Sequence, residues 1–204
     1  MNGKTKWEEI IMKQGIDISF CQPNFDFQQA IQEGKEFCVV KLGEHDYLDD
    51  YFAQHLNGAI NAGMDVGVYF VSRGLTPNDV EIEAQFFADS IKQNISAEMK
   101  CGIWLDIEEE YYEKKVSVQE LTDIVSKFIT VMNQNGYDCG IYASYNMLNQ
   151  MDVSQFADYV KFYEANYGSY CAFKSEHPEK TVKLWQYDTT NGTLDVDVMY
   201  EEGE

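Results

Sequence analysis

Three segments of this chain place carboxylates where they could do chemistry. In Cys101-Gly-Ile-Trp-Leu-Asp-Ile-Glu-Glu-Glu110 an apolar run leads straight into acids. Read as a strand, its side chains alternate, so Asp106 and Glu108 share one face and Ile103, Leu105 and Ile107 the other. Asp17 is a lone charge inside the apolar Gly15-Ile-Asp-Ile-Ser19, and Asp195 and Asp197 alternate with Leu194, Val196 and Val198. Neighbouring carboxylates cannot all ionise freely, so one can hold a proton near neutral pH beside another that stays charged. A protonated carboxylic acid next to a carboxylate is what cleavage of a glycosidic bond uses. Tyr69, Tyr142, Trp185 and Tyr187 stand at or near the ends of apolar runs, with Gln186 among them. Aromatic faces pack on the C–H faces of sugar rings, while a tyrosine hydroxyl or an amide bonds sugar hydroxyls. Each residue alone also reads as a solvated strand end, a cap or a core aromatic. Together they read as a glycan groove.

The elements that would position these groups follow from hydrophobic periodicity. Short apolar runs recur at Ile16–Ser19, Phe37–Leu42, Val66–Val71, Gly102–Ile107, Gly140–Ala143, Val160–Ala165 and Val182–Tyr187. Several are apolar on both faces, as in strands of a parallel sheet covered on both sides. Helical patterns separate them over Phe27–Gly34, Asp50–Gly63, Asn78–Asn94 and Ser117–Gly136, the last opening on a Ser117/Glu120 capping box. The repeat is about 30 residues, the size of a strand–helix unit. Strands alternating with helices predict a parallel sheet with right-handed crossovers. More than five such strands predict closure into a single (β/α) barrel, which brings acids on the first, middle and last strands to one end. A full barrel takes about 250 residues. With 204, the C-terminal half is expected to be irregular and poor in helices, and Asn166–Val182, with Pro178, shows no helix period.

Composition narrows the partners. The 15 Lys+Arg and 35 Asp+Glu give a net charge of −20, which excludes a phosphate-bound nucleic-acid partner and disfavours anionic membranes. No apolar run approaches the ~20 residues of a membrane span. The first residues carry Lys4, Lys6, Glu8 and Glu9 and no apolar stretch, so no secretory signal is expected in this chain. Residues 1–14 read as an extension and 15–204 as one domain. The five cysteines are odd in number and lack Cys-x-x-Cys spacing, and the three histidines fall in no motif. Neither a disulfide framework, nor a metal site, nor a cofactor is therefore expected. Cys38, Cys101 and Cys139 read as small buried hydrophobes.

In order and spacing, the segments resemble glycoside hydrolase family 25, the Chalaropsis-type lysozymes. Gly15-Ile-Asp-Ile-Ser19 with Gln22 and Asp26-Phe27 is similar to the family's opening motif. Phe37–Lys41 with Glu44, Ala62-Gly-Met-Asp-Val-Gly-Val-Tyr69 and Trp104-Leu-Asp-Ile-Glu108 follow. Gly140-Ile-Tyr-Ala-Ser144, Ala165-Asn-Tyr167, Trp185-Gln-Tyr187 and Val196-Asp-Val198 complete the series. The chain departs from the pattern at Pro23, Leu42-Gly-Glu-His45, Phe70 and Met199, none of which removes a carboxylate.

The resemblance implies hydrolysis of the β-1,4 bond between N-acetylmuramic acid and N-acetylglucosamine in bacterial peptidoglycan. It implies Glu108 as general acid/base, Asp106 as the acid that assists the substrate's acetamido group, and Asp17 and Asp197 as flanking acids. Those flanking acids are expected to help Glu108 keep its proton. Action at the cell wall follows, as a phage-type endolysin or as a domain of a secreted protein, with adhesion supplied by a separate wall-binding module. The alternatives are a catalytically silent glycan-binding domain on the same fold, or another barrel glycosidase acting on N-acetylglucosamine polymers.

Overall fold

The computed structural model describes residues 12–201. Of the extension read over 1–14, residues 1–11 lie outside the described residues, and Met12 to Gln14 belong to the first strand. The chain runs β1 (Met12–Ile18), α1 (Phe27–Gln32), β2 (Phe37–Glu44), β3 (Tyr47–Leu48), α2 (Phe52–Ala62) and β4 (Asp65–Val71). It continues with α3 (Pro77–Asn94), β5 (Gly102–Ile107), α4 (Glu109–Tyr112), α5 (Val118–Gln134), β6 (Cys139–Ser144) and α6 (Tyr145–Gln150). The last elements are β7 (Lys161–Ala165), α7 (Ala172–Glu176), β8 (Thr181–Thr190) and β9 (Leu194–Tyr200). No helix among the described residues is long and apolar enough to cross a membrane.

Eight strands close into a barrel in the order β1-β9-β8-β7-β6-β5-β4-β2, with β1 pairing back on β2. The predicted barrel, rich in helices first and poor in them later, is what forms. The helices α2, α3 and α5 have 11, 18 and 17 residues, whereas α6 and α7 have 6 and 5. Long helices start where the sequence signals them. Ser117 and Glu120 cap α5 reciprocally, and Thr76 and Asp79 do the same for α3, with Pro77 in its first turn. Gly63 ends α2 at φ 84°, a left-handed conformation that glycine adopts without a Cβ clash.

Two expectations are corrected. The sheet is mixed, because β9 pairs antiparallel with both β8 and β1. The cause is a tight hairpin at Asn191-Gly192, both at positive φ, which turns the chain back without a crossover helix. The segment Asn166–Val182 also holds a helix, the short α7, whose first N–H groups are anchored by the buried Glu164 carboxylate of β7.

Alternation along the strands divides the apolar residues in two. One set packs between the barrel and its helices, including Val40, Val68, Phe87, Phe128, Ile141 and Phe162. The other fills the barrel: Phe37, Val39, Cys101, Trp104, Tyr163, Leu184 and Met199, with Tyr69 and Tyr142 against them. The Trp104 indole needs room, and Gly140 on the next strand supplies it, since a Cβ there would collide with the ring. Trp104 is fixed by its Nε1–H, which donates to the Cys101 carbonyl at 2.9 Å. Cys38, Cys101 and Cys139 are buried and unpaired.

Candidate active site

The same alternation that puts Trp104 inside the barrel puts Asp106 there, two residues nearer the C-terminal end of β5. Asp17 of β1, Tyr69 of β4, Tyr142 of β6 and Gln186 of β8 reach the same level. These residues, with Glu108, Tyr163 and Asp195, line a cleft of about 160 Å³. A larger cavity, about 610 Å³, holds none of these acids and lies among lysines near the opposite strand ends, including Lys13, Lys100 and Lys183. The chemistry-bearing groups are therefore in the smaller cleft, at the end where barrels of this kind carry their sites.

A hydrogen-bonded chain orders the floor. Tyr142 donates to Gln186 Oε1 at 3.0 Å, and Gln186 Nε2 donates to Asp17 Oδ2 at 2.8 Å. The Tyr163 hydroxyl lies 3.1 Å from that same Asp17 oxygen and 2.6 Å from Asp197 Oδ1. A hydroxyl has one hydrogen, so both contacts are hydrogen bonds only if one of the two carboxyls carries a proton. Burial points the same way. It pushes the Asp17 carboxyl up to about 7, the charge of Asp195 adding to the rise and the bonds from Gln186 and Tyr163 opposing it. Burial, with the Asp17 charge, also holds Asp197 well above the usual carboxylate range. Asp106 is raised by burial first and then by the charges of Glu108 and Asp17, with Lys41 and Arg73 opposing. Two buried carboxyl oxygens, Asp106 Oδ1 and Asp197 Oδ2, have no partner among the described residues.

Glu108 differs from these acids. It follows the last residue of β5 and is 44% exposed, on the rim. Its Oε2 accepts from Nη1 of Arg73, whose Nε donates to Glu44 Oε1 at 2.7 Å. The acids that burial favours in the neutral form are thus Asp17, Asp106, Asp195 and Asp197, whereas Glu108, the expected proton donor, is ion-paired.

Of the residues singled out in the sequence, Asp17, Tyr69, Asp106, Glu108, Tyr142 and Gln186 meet in the cleft, and Asp195 joins them. Asp197 is fully buried, does not line the cleft, and is joined to it by the Tyr163 hydroxyl. Trp185 and Tyr187 do not line it: they flank Gln186 on β8 and pack on the helix side. The Trp185 Nε1–H donates to the Asn166 carbonyl at 2.9 Å. Sequence reasoning missed Tyr163 and Arg73. Tyr163 is one of three consecutive buried residues on β7, so alternation does not single it out, and Arg73 is the chain's single arginine, two residues past β4.

Comparison with known proteins shows the family and the fold. The model of the family "Glycosyl hydrolases family 25" matches residues 16–196. The autolytic lysozyme of Clostridium acetobutylicum is 31% identical over 134 residues, which is 65% of this chain and 39% of that protein. The modular autolysin LytC of Streptococcus pneumoniae superposes with a TM-score of 0.78 at 24% identity, over 93% of this chain and 47% of LytC. A family 25 lysozyme from Aspergillus fumigatus superposes with a TM-score of 0.74 at 23% identity, over 94% of this chain and 95% of the other. At these identities the superpositions show a shared fold. The chain spans less than half the length of the clostridial and pneumococcal proteins.

Proposed function

The chain belongs to glycosyl hydrolase family 25, and on that premise we propose that it is a muramidase cleaving the β-1,4 bond between N-acetylmuramic acid and N-acetylglucosamine in peptidoglycan. The observation that carries this reading is the meeting of Asp17, Asp106 and Glu108 in one cleft edged by Tyr69, Tyr142 and Gln186.

The roles divide by environment. Glu108, exposed on the rim, can reach a glycosidic oxygen and donates the proton that lets the leaving sugar depart. The 2-acetamido carbonyl oxygen of the bound sugar attacks the anomeric carbon as that bond breaks. Glu108, now a carboxylate, takes a proton from the water that opens the resulting ring. This is a substrate-assisted exception to the two-carboxylate schemes. Asp106 lies deeper, and its unpartnered Oδ1 is suited to accept from the acetamido N–H. In its charged form Asp106 offsets the positive charge that develops on the acetamido group, and that charge favours ionisation of an acid otherwise held neutral by burial. Asp17, Tyr163 and Gln186 fix the cleft floor, with Asp197 behind them.

The wall is the expected site of action. A chain of charge −20 is repelled by a polyanionic wall, so a companion wall-binding module is expected to hold it there. Delivery as a phage-type endolysin or as a domain of a secreted protein both fit this reading.

The test is digestion of purified peptidoglycan followed by mass analysis of the fragments. Fragments ending in reducing N-acetylmuramic acid are expected, and Glu108→Gln should lower their release ~10²–10⁴-fold while glycan binding persists. Reducing N-acetylglucosamine ends would indicate the other bond. Binding with no new reducing ends would indicate a silent domain.

A further inference from the structure

Arg73 is held as an arm rather than a loose surface side chain. Its backbone N–H donates to the buried Glu83 carboxylate at 3.1 Å, and its carbonyl accepts from the Tyr111 hydroxyl at 2.8 Å. Glu83 is itself bound by Ser72 Oγ at 2.6 Å and lies 2.9 Å from His45 Nδ1. The guanidinium carbon stands 4.9 Å from the centre of the Tyr111 ring. From this support the guanidinium is forked between Glu44 and Glu108, and Glu44 also accepts from Lys41 Nζ at 2.7 Å. Burial alone would raise Glu44, but Arg73 and Lys41 hold it below its ordinary range, so one end of the fork is a permanent anion.

The other end is the rim acid. A guanidinium N–H and a carboxylic proton compete for the same Glu108 Oε2, so Glu108 cannot remain in this pair while it donates from that oxygen. We propose that Arg73 is a positioning residue of the reaction: it holds the Glu108 carboxylate in the resting cleft and releases it to the glycosidic oxygen when a glycan chain enters, keeping Glu44 as its anchor. The inference rests on the reading of Glu108 as proton donor. One proton is relocated in the exchange. It leaves Asp106, whose neutral form burial favours, and reaches Glu108 by way of solvent, so Asp106 becomes charged as the acetamido group requires.

The charges facing Glu108 set the sign of the test. Arg73 and Lys41 are cationic. Asp106 on its own strand, Asp17 and Asp195 across the cleft, and Glu44 behind Arg73 are acids, and Lys115 sits 3.3 Å over the Tyr111 ring. Tyr69 and Tyr142 are pushed well up by burial and stay neutral. Removing the Arg73 charge favours the protonated donor, whereas neutralising Glu44 leaves Arg73 wholly to Glu108 and favours the carboxylate.

The experiment is kcat/KM against pH on soluble peptidoglycan glycan chains, for the wild type, Arg73→Gln, Glu44→Gln and Glu108→Gln. The limb on which activity falls as pH rises reports loss of the one proton that Asp106 and Glu108 share in the free enzyme. It should move up by about one pH unit, tenfold in proton concentration, in Arg73→Gln, and down in Glu44→Gln. A structural role alone would lower activity without opposite displacements. Limbs that stay put, or move the same way, in the variants that fold would overturn the proposal. An active Glu108→Gln would instead remove the reading of Glu108 on which it rests. If one of the two charge variants fails to fold, the other still decides, because each has its own sign.

Discussion

Asp17→Asn should make the protein more stable and less active, by an amount that depends on pH. The native state holds the Asp17 proton up to about 7, against an ordinary value of 3.8, mainly because the carboxyl is buried and secondarily because Asp195 lies near. An unfolded chain releases that proton near its ordinary value. Between the two, the native state binds more protons than the unfolded state, so this group's contribution to stability falls as pH rises. It is level below about pH 4 and level again above about pH 7. The full displacement, from 3.8 to about 7, corresponds to a ceiling of roughly 4 kcal/mol. Asp195 and Asp197 share the unfavourable charge, so a gain of ~1–3 kcal/mol at pH 8 is expected on replacing the carboxyl. The carboxamide can keep the geometry, since Asn Oδ1 accepts from Gln186 Nε2 and Tyr163 as Asp17 Oδ2 does now. For a chain of this size the gain is a rise in Tm of about 3–9 °C. Thermal unfolding followed by circular dichroism between pH 4 and pH 8 reads it. The offset between variant and wild type should be near zero at pH 4 and grow to its full value by pH 8. An offset equal at all pH values, or a variant less stable than the wild type at pH 8, would refute the claim that Asp17 is a strained, proton-holding acid. Loss of peptidoglycan cleavage alongside the gain is the expected exchange of stability for function.

Two further outcomes are expected. Gly140→Ala would drive a methyl group into the Trp104 ring and to 2.8 Å from the Lys161 carbonyl, with the indole held by its own hydrogen bond to Cys101. A loss of ~1–3 kcal/mol follows from such overpacking, read as a lower urea midpoint at unchanged slope, and an unchanged midpoint would show that the barrel interior has slack. Sedimentation of the free chain with purified, teichoic-acid-bearing walls should rise as salt goes from about 0.01 to 0.15 M, because screening shortens the repulsion of a −20 chain. Binding that falls with salt would point to a cationic face acting on the wall instead.

What is legible in the sequence follows from which rule each residue obeys. Strands apolar on both faces stand out whatever their partners, so the runs from Phe37 to Tyr187 are readable one by one, and the carboxylates at their ends with them. Period-two alternation then suffices for Asp106, because Ile103, Leu105 and Ile107 mark the opposite, helix-facing side of β5. The same rule sorts β8, where an inward Gln186 forces Trp185 and Tyr187 outward; proximity to a strand end, which groups all three together, does not. On β7 the rule alone is mute: Phe162, Tyr163 and Glu164 are all buried, and only closure of the barrel tells which face is the interior. The antiparallel closure has its own signal in Asn191-Gly192, a turn that serves a hairpin and not a crossover. Arg73 has none, because its partners Glu44 and Glu108 lie 29 and 35 residues away, at the ends of other strands. That difference bears on function. The buried acids are fixed by alternation within strands, which the local pattern encodes, whereas the partner of the rim acid comes from a loop that only the folded barrel brings into reach. The ion pair of Glu108 with Arg73 is therefore a tertiary property, and a sequence that preserves every carboxylate can still alter it.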